Sequence, residues 1–170
     1  MTIEIRPYET TDWDAIARIH DLARLDELRR SVGVEAFLSL EETAEPEGLF
    51  AGEVWVALSD GAVVGFGALD ADEVTWLYVD PLRARTGIGR SLLRHLIERG
   101  GNRMVASVLA GNDPAILLYE SEGFVIQETK TGRLVGNEAF DATGHIMVLQ
   151  KNPEASFLPV DRSAWNATGI

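Results

Sequence analysis

The feature that most constrains the fold is a turn rich in glycine and arginine at residues 83–90, set between a strand and a helix. The preceding segment, residues 73–79, is rich in β-branched and aromatic residues, which predicts a strand, and Pro81 ends it. After the turn, apolar residues recur at helical spacing, which predicts an amphipathic helix ending at Gly100. A strand that passes directly into a helix is typical of α/β folds.

The remaining periodicities predict a mixed α/β sheet with helices on both faces. The other predicted strands lie at residues 2–6, 54–58, 62–69, 104–109, 124–129 and 146–149. The other predicted helices run from residue 11 or 12 through residue 23, from residue 24 to about residue 40, and from residue 114 to about residue 122. We expect an acidic loop at 41–47 and a glycine-rich connection at 130–144. One domain at 1–151 is then followed by an irregular tail at 152–170.

The composition argues against several classes of protein. The chain has no cysteine, which excludes disulfides, thiolate metal sites and a cysteine nucleophile. No spacing of His, Asp and Glu is typical of a metal site. Neither a membrane-spanning apolar run nor a signal peptide is visible, so we expect a cytoplasmic protein. The net charge of −12 argues against a general nucleic-acid binder.

The positive charge is concentrated around the glycine turn. Residues 81–111 contain six arginines and one acidic residue, whereas residues 1–80 contain 18 acidic and 5 basic residues. Such a cluster is either a solvated helix face or a pocket for a small polyanion. The turn has no lysine for a Walker loop, and Leu92 stands where a dinucleotide-binding motif needs glycine. Either a tight structural turn or an anion-binding loop therefore fits residues 87–89.

A second motif follows the next predicted strand, and the two motifs together resemble those of the GNAT superfamily, N-acetyltransferases that use acetyl-CoA. In the second motif every position of the pattern Asn-x-x-Ala-x-x-Leu-Tyr, followed by Gly-Phe, is matched within Asn112–Phe124. In the first, Val79-Asp80-Pro81 and Gly87-Ile88-Gly89 match at the expected distance. The resemblance covers roughly residues 2–150. Ala84 departs from it, because the family usually has Gln or Arg there.

The resemblance implies a GNAT-like fold and a binding mode for acetyl-CoA. The fold has mostly antiparallel N-terminal strands, a splayed central parallel pair and helices on both faces. The pyrophosphate is expected on the main-chain N–H groups of Arg85, Thr86, Gly87, Ile88, Gly89 and Arg90. The pantetheine arm is expected beside the main chain of Leu77, Tyr78 and Val79. Asn112 either contacts this arm or caps the following helix.

The resemblance also implies two catalytic residues. Tyr119 matches the tyrosine that protonates the leaving thiolate, although its helical position also fits a residue packed in the core. Glu73 is the candidate base that removes a proton from the acceptor amine; an exposed carboxylate at a strand end is the alternative. Substitutes for this base are a chain of water molecules or the side chains of Asp70, Asp72, Glu35 and His145.

We therefore expect an enzyme that transfers the acetyl group directly to a primary amine of a small molecule, an amino acid or a protein N-terminus. The acidic N-terminal half favours a cationic acceptor, and the chain is compatible with a homodimer. One alternative is a catalytically inactive module that senses acyl-CoA, suggested by Ala84. Another is an acetyltransferase acting on charged tRNA, which the net charge of −12 disfavours.

Overall fold

Seven strands form one mixed sheet within residues 2–153, the part of the chain that this computed structural model describes. In chain order they are β1 (Ile3–Pro7), β2 (Glu53–Ser59), β3 (Ala62–Asp70), β4 (Glu73–Val79), β5 (Arg103–Leu109), β6 (Val125–Arg133) and β7 (Asp141–Gln150). They lie in the order β1-β2-β3-β4-β5-β7-β6, and only β4 and β5 are parallel. The predicted tail lies almost entirely outside the described residues.

Helices cover both faces of the sheet, which confirms the predicted fold class. They are α1 (Trp13–Arg30), α2 (Leu40–Thr43), α3 (Ile88–Arg99) and α4 (Asp113–Ser121), with shorter helical turns at Thr10–Asp12, Val34–Ala36 and Pro81–Arg83. Helices α1 and α2 pack on one face against Phe66 and Trp76. Helices α3 and α4 pack on the other face against Leu77 and Val108. None of the helices described is both long and apolar enough to span a membrane.

The two central strands separate soon after they meet. The parallel ladder between β4 and β5 contains only the pairs Glu73–Val105 and Val74–Ala106. On the other side of β4, the register with β3 shifts so that Thr75 is an extra residue, which is a β-bulge. Because a bulge bends its strand and increases the local twist, the later part of β4 turns away from β5. This separation is the splayed pair that the resemblance implied.

Three predicted segments differ from the structure. The two helices predicted up to residue 40 form one helix that ends at Arg30, because Gly33 takes a left-handed φ of 112°. The predicted loop at 41–47 contains most of α2, whose N-terminus is fixed by reciprocal hydrogen bonds between Ser39 and Glu42. The predicted connection at 130–144 is largely hairpin, since β6 extends to Arg133 and β7 begins at Asp141.

We expect Phe124→Ala to lower the free energy of unfolding by about 3–5 kcal/mol, because the substitution leaves a cavity in the core. Phe124 is 1% exposed and its ring meets that of Tyr119 at 5.1 Å. Denaturant unfolding measures the change. The neighbouring Val125→Ala is the matched control, since Val125 is 63% exposed. A similar, small loss for both variants would contradict the described packing.

Candidate active site

The glycine turn presents a row of main-chain N–H groups at the N-terminus of α3. Gly87 takes a left-handed φ of 89°, which lets the chain enter the helix at the next residue. The N–H groups of residues 85–90 have no hydrogen-bond acceptor among residues 2–153. N–H groups at a helix N-terminus attract anions, through both hydrogen bonding and the helix dipole. The arrangement therefore suits the pyrophosphate predicted at Arg85, Thr86, Gly87, Ile88, Gly89 and Arg90.

Asp80 braces the beginning of this turn. Its Oδ1 accepts a hydrogen bond from the N–H of Leu82 at 3.0 Å, and its Oδ2 accepts one from Arg18 of α1 at 2.8 Å. Burial raises the pKa of Asp80, but the hydrogen bond from Arg18 and that from the Leu82 N–H outweigh this and hold it below its ordinary value. The carboxylate is thus charged at neutral pH and fixes the turn against α1.

The arginines of the basic cluster divide into two groups. Arg90 and Arg94 both pair with Glu122 at the C-terminus of α4, at 3.0 and 2.8 Å. The row of main-chain N–H groups at residues 85–90 is called the N–H cradle below. Arg90 contributes its main-chain N–H to this cradle, while its side chain joins α3 to α4. Arg83 and Arg85 are exposed and form no ion pair within the described part of the chain. These two guanidinium groups flank the cradle and remain available to an anionic ligand.

The separation of β4 from β5 exposes main-chain groups beside the cradle. The N–H of Asp80 donates to Val64 on β3 at 2.9 Å. Because neighbouring residues of a strand direct these groups to opposite sides, we infer that those of Leu77 and Val79 face the gap. Those of Tyr78 then face β3, where Tyr78 pairs with Phe66. The side chain of Leu77 lies in the core, as the sequence predicted.

Asn112 occupies the N-cap position of α4 without using its side chain as the cap. Its main-chain oxygen accepts hydrogen bonds from Ala115 and Ile116, both at 3.1 Å. The side chain is fully buried and interacts with Glu27 of α1, which helps to lower the pKa of that carboxyl. Of the two predicted roles, ordering the following helix is therefore supported through the main chain.

Tyr119 lies in α4, and its side chain is buried in the core. The residue is 3% exposed, and its hydroxyl makes no hydrogen bond within residues 2–153. Burial raises the pKa of Tyr119 above its ordinary value, and the negative charges of Glu27 and Glu73 raise it further. The hydroxyl is therefore protonated at neutral pH, the state that a proton donor requires.

Glu73 begins β4 at the closed end of the gap. Burial raises the pKa of Glu73, and the charge of Asp70 across the β3–β4 turn raises it further. A carboxylate whose pKa is shifted towards neutral is a stronger base than an ordinary one. Among the substitutes, Asp72 accepts the N–H of Gly101 at 2.6 Å and so has a structural partner.

The other substitutes are less suited to act as the base. Glu35 and Asp70 are exposed. His145 lies on β7, where its Nδ1 is 2.8 Å from the hydroxyl of Thr129. Glu73 therefore stays the predicted base.

A cleft on the α1 side of the sheet contains functional groups that the sequence did not single out. Its lining combines buried or half-buried polar side chains with apolar ones, and Tyr78 of β4 forms its floor. Besides Tyr78, its ionisable residues are His20, Arg24 and Glu47. Burial lowers the pKa of His20 to about 4, so its imidazole is neutral. The sequence does contain one indication of this cleft: Arg24 lies in phase with the apolar stripe of α1, where a charged residue is unexpected.

Comparison with known proteins agrees with this geometry. Residues 51–126 match the model of the acetyltransferase (GNAT) domain. Residues 51–126 are therefore a GNAT acetyltransferase domain. The family predicted from the two motifs is thereby confirmed. Both motifs, residues 79–89 and 112–124, lie inside the matched segment, whereas most of the cleft does not.

Several acetyltransferases are similar to the chain. The mycothiol acetyltransferase of Saccharomonospora viridis is 32% identical over 123 residues, covering 69% of this chain and 40% of that protein. The ribosomal protein bS18-alanine N-acetyltransferase of Escherichia coli is 49% identical over 59 residues, covering 31% of this chain and 40% of that protein. The chain thus spans less than half the length of these curated relatives. Their names support the predicted class of acyltransferase.

A solved structure shows the same fold. YncA, an acetyltransferase from Salmonella typhimurium solved with acetyl-CoA, superposes with a TM-score of 0.67 at 24% identity, covering 92% of this chain and 98% of that chain.

We expect the double variant Arg83→Glu/Arg85→Glu to bind acetyl-CoA about tenfold or more weakly, because it places two negative charges beside the anion cradle. Calorimetric titration at low salt measures the affinity. The pair Arg29→Glu/Arg30→Glu on the exposed part of α1 changes the net charge equally and is the control. Gly89 is less suitable, because a side chain there would press on Leu118. Equal losses in both double variants would show a general charge effect only.

Proposed function

We propose that the chain transfers the acetyl group of acetyl-CoA directly to a primary amine of a small molecule, an amino acid or a protein N-terminus. The observation that carries this proposal is the gap between β4 and β5, which opens next to the N–H cradle of α3. A pyrophosphate complements the N–H cradle, and an extended arm that carries amides complements the main-chain groups in the gap. The acetyl-CoA in the structure of YncA supports this choice of ligand.

Different parts of the chain bind different parts of acetyl-CoA in this proposal. Residues 85–90 donate main-chain hydrogen bonds to the pyrophosphate oxygens, and Arg83 and Arg85 add charge. Leu77 and Val79 offer main-chain partners to the arm. Bound acetyl-CoA supplies a thioester, and an N–H of β4 within the gap polarises its carbonyl.

Proton transfer is assigned to two residues. Glu73 accepts the proton of the acceptor amine, which is otherwise an ammonium at neutral pH. Tyr119 donates its hydroxyl proton to the departing thiolate sulfur. Because the chain has no cysteine, the amine attacks the thioester without an acetyl-cysteine stage. The acidic N-terminal half, with 18 acidic and 5 basic residues up to residue 80, favours a cationic acceptor.

We expect Tyr119→Phe to lower kcat by about ten- to a thousandfold, the range typical of a lost general acid. Binding of acetyl-CoA stays within about twofold, because the ring and its contact with Phe124 are kept. Release of free thiol measures kcat, and calorimetry measures binding. Tyr8→Phe, on the far side of the sheet, is the control. An unchanged kcat in Tyr119→Phe would leave this residue with a packing role.

We expect Glu73→Gln to lower kcat/KM and to remove the acidic limb of its pH profile. The base acts only when deprotonated, so wild-type activity falls as the pH drops through the pKa of Glu73, which burial raises. Protonation of the acceptor amine would also produce an acidic limb. An acceptor amine whose pKa is known and lies below that of an ordinary primary amine distinguishes the two causes. Glu4→Gln on the exposed face of β1 is the control. A wild-type rate and profile in Glu73→Gln would assign the base elsewhere.

One alternative function rests on Ala84. This exposed alanine stands where the family usually has Gln or Arg, so the chain lacks one side chain near the cofactor. A module that binds acyl-CoA without catalysis would show acetyl-CoA binding but no thiol release with a mixed panel of amines. Release of thiol above the hydrolysis background decides for the enzyme.

A further inference from the structure

The separation of β4 from β5 brings two polar side chains to the first position beyond their parallel ladder. The last pair of the ladder is Val74–Ala106, and Thr75 is the extra residue of the bulge. Trp76 on β4 and Ser107 on β5 come next, so they stand opposite each other where the gap begins. A ligand group at the narrow end of the gap therefore lies beside these two residues.

Ser107 and Glu73 face the same side of the sheet. Val74 and Ala106 both pack in the core that α3 covers, and side chains alternate between the two faces along a strand. Glu73 and Ser107, which flank that pair, therefore face the α1 side. Neighbouring strands lie about 4.8 Å apart and two residues span about 6.6 Å, which places the Cα atoms of Glu73 and Ser107 about 8 Å apart. At this diagonal distance their side chains can both reach a small group between them.

Ser107 is a buried polar residue whose side chain has no hydrogen-bond partner. It is 4% exposed, and its hydroxyl makes no hydrogen bond within residues 2–153. Trp76, opposite it, is 1% exposed, and its Nε1 also lacks an acceptor in the described part of the chain. Buried polar groups almost always have partners. Two that lack them at the start of the gap indicate that a polar group binds there.

Of these two side chains, only the serine can take part in moving a proton. An indole N–H can only donate, whereas a serine hydroxyl donates one hydrogen bond and accepts others. Ser107 can therefore accept from an amine nitrogen and donate to the carboxylate of Glu73 at the same time. Tyr119 packs on the opposite face, in the core under α3 and α4. The group that protonates sulfur and the groups that take the amine proton thus approach the thioester from opposite faces.

The charged groups around Glu73 leave its carboxylate available. Burial and the charge of Asp70, across the β3–β4 turn, raise the pKa of Glu73, and among the described residues no hydrogen bond opposes them. Arg103, on the same face of β5, donates to a glutamine of β6 at 2.8 Å. On α1, Arg24 and Glu27 pair with each other at 2.8 Å. The carboxylate can therefore accept a hydrogen bond from Ser107.

We propose that Ser107 is a further catalytic residue, whose hydroxyl bridges the acceptor nitrogen and the carboxylate of Glu73. This inference rests on the proposed acetyl transfer and adds a proton relay to it. One N–H bond of the ammonium breaks, and its electron pair stays on the nitrogen for the attack. The released proton passes to Oγ of Ser107, while the hydroxyl proton of Ser107 passes to the carboxylate. Ser107 ends unchanged and Glu73 ends protonated.

The first test is Ser107→Ala, which removes the hydroxyl and little volume. The acceptors are phenethylamine, lysine and alanyl-alanine, one from each class in the proposed function. Free-thiol release measures turnover with the best of the three. We expect kcat/KM to fall by about 30-fold or more near pH 6.5, which is typical of a lost proton-transfer group. Calorimetry checks that the affinity for acetyl-CoA stays within about twofold.

The pH dependence of this loss separates proton transfer from packing. Without the relay, the variant reacts only with acceptor molecules that have already lost their proton in solution. Their share rises about tenfold per pH unit below the pKa of the amine. We therefore expect the loss to shrink by about tenfold or more between about pH 6.5 and 9. A loss that is the same at every pH, or one below about threefold at pH 6.5, overturns the proposal.

Two further variants serve as controls. Ser59→Ala is the matched control, because Ser59 is also buried on a strand, at 1% exposed, but lies on β2. It keeps the wild-type rate. Ser107→Thr keeps the hydroxyl and suits a strand, so a folded threonine variant stays within about threefold of the wild type. A folded threonine variant with the full loss of Ser107→Ala contradicts the relay.

The double variant Ser107→Ala/Glu73→Gln tests whether the two residues act as one unit. Groups on one path lose their effect together. We therefore expect the double variant to be no more than about threefold slower than the slower single variant. Losses that multiply would show two independent roles and overturn the bridge.

The results distinguish the relay from the proposed function. If no acceptor releases thiol above the hydrolysis background in the wild type, the acetyl transfer is wrong and the relay is wrong with it. If the wild type turns over and Ser107→Ala equals it, the transfer stands and only the assignment of Ser107 is overturned.

Discussion

The separation of β4 from β5 is the constraint on which the rest of the site depends. After two residue pairs the strands diverge at the Thr75 bulge, so main-chain groups of Leu77 and Val79 face a gap in the middle of the sheet. Buried main-chain groups need hydrogen-bond partners, and a gap of this kind favours a ligand that itself carries amides. The N–H cradle begins immediately after the same strand. One bend in one strand therefore creates the surface that we propose for both the arm and the pyrophosphate.

Buried charged side chains, rather than exposed ones, connect the helices on the two sides of the sheet. Arg24 and Glu27 lie on the inner side of α1, and Glu27 meets Asn112 at the start of α4. Helix α4 also carries Tyr119, whose pKa is raised in part by the charge of Glu27. Helix α1 is thus coupled to the helix that carries the proposed acid. Breaking this ion pair would disturb both, because a buried charge without its partner is strongly destabilising.

The sequence predicted what is local and missed what is assembled over long distances. The strand at 73–79 and the turn at 83–90 are contiguous, so the residue pattern located them, and the motif at 112–124 was located by its resemblance to the family pattern. The break after Arg30 depended on Gly33, and the extended β6–β7 hairpin has polar residues on both faces, which hides its period of two. Arg24 and Glu27 did leave a signal: they lie three residues apart, in phase with the apolar stripe of α1, where a solvated charge is unexpected.

The same difference in assembly explains why family membership says more about the cofactor than about the acceptor. The matched segment, residues 51–126, contains the bulge, the cradle and Tyr119. It does not contain Arg24, Glu47 or the hairpin tip, which form most of the cleft. The match to the family model thus covers the segments proposed to bind acetyl-CoA and leaves out most of the cleft. A match to residues 51–126 therefore carries information about the proposed cofactor site and little about the amine acceptor.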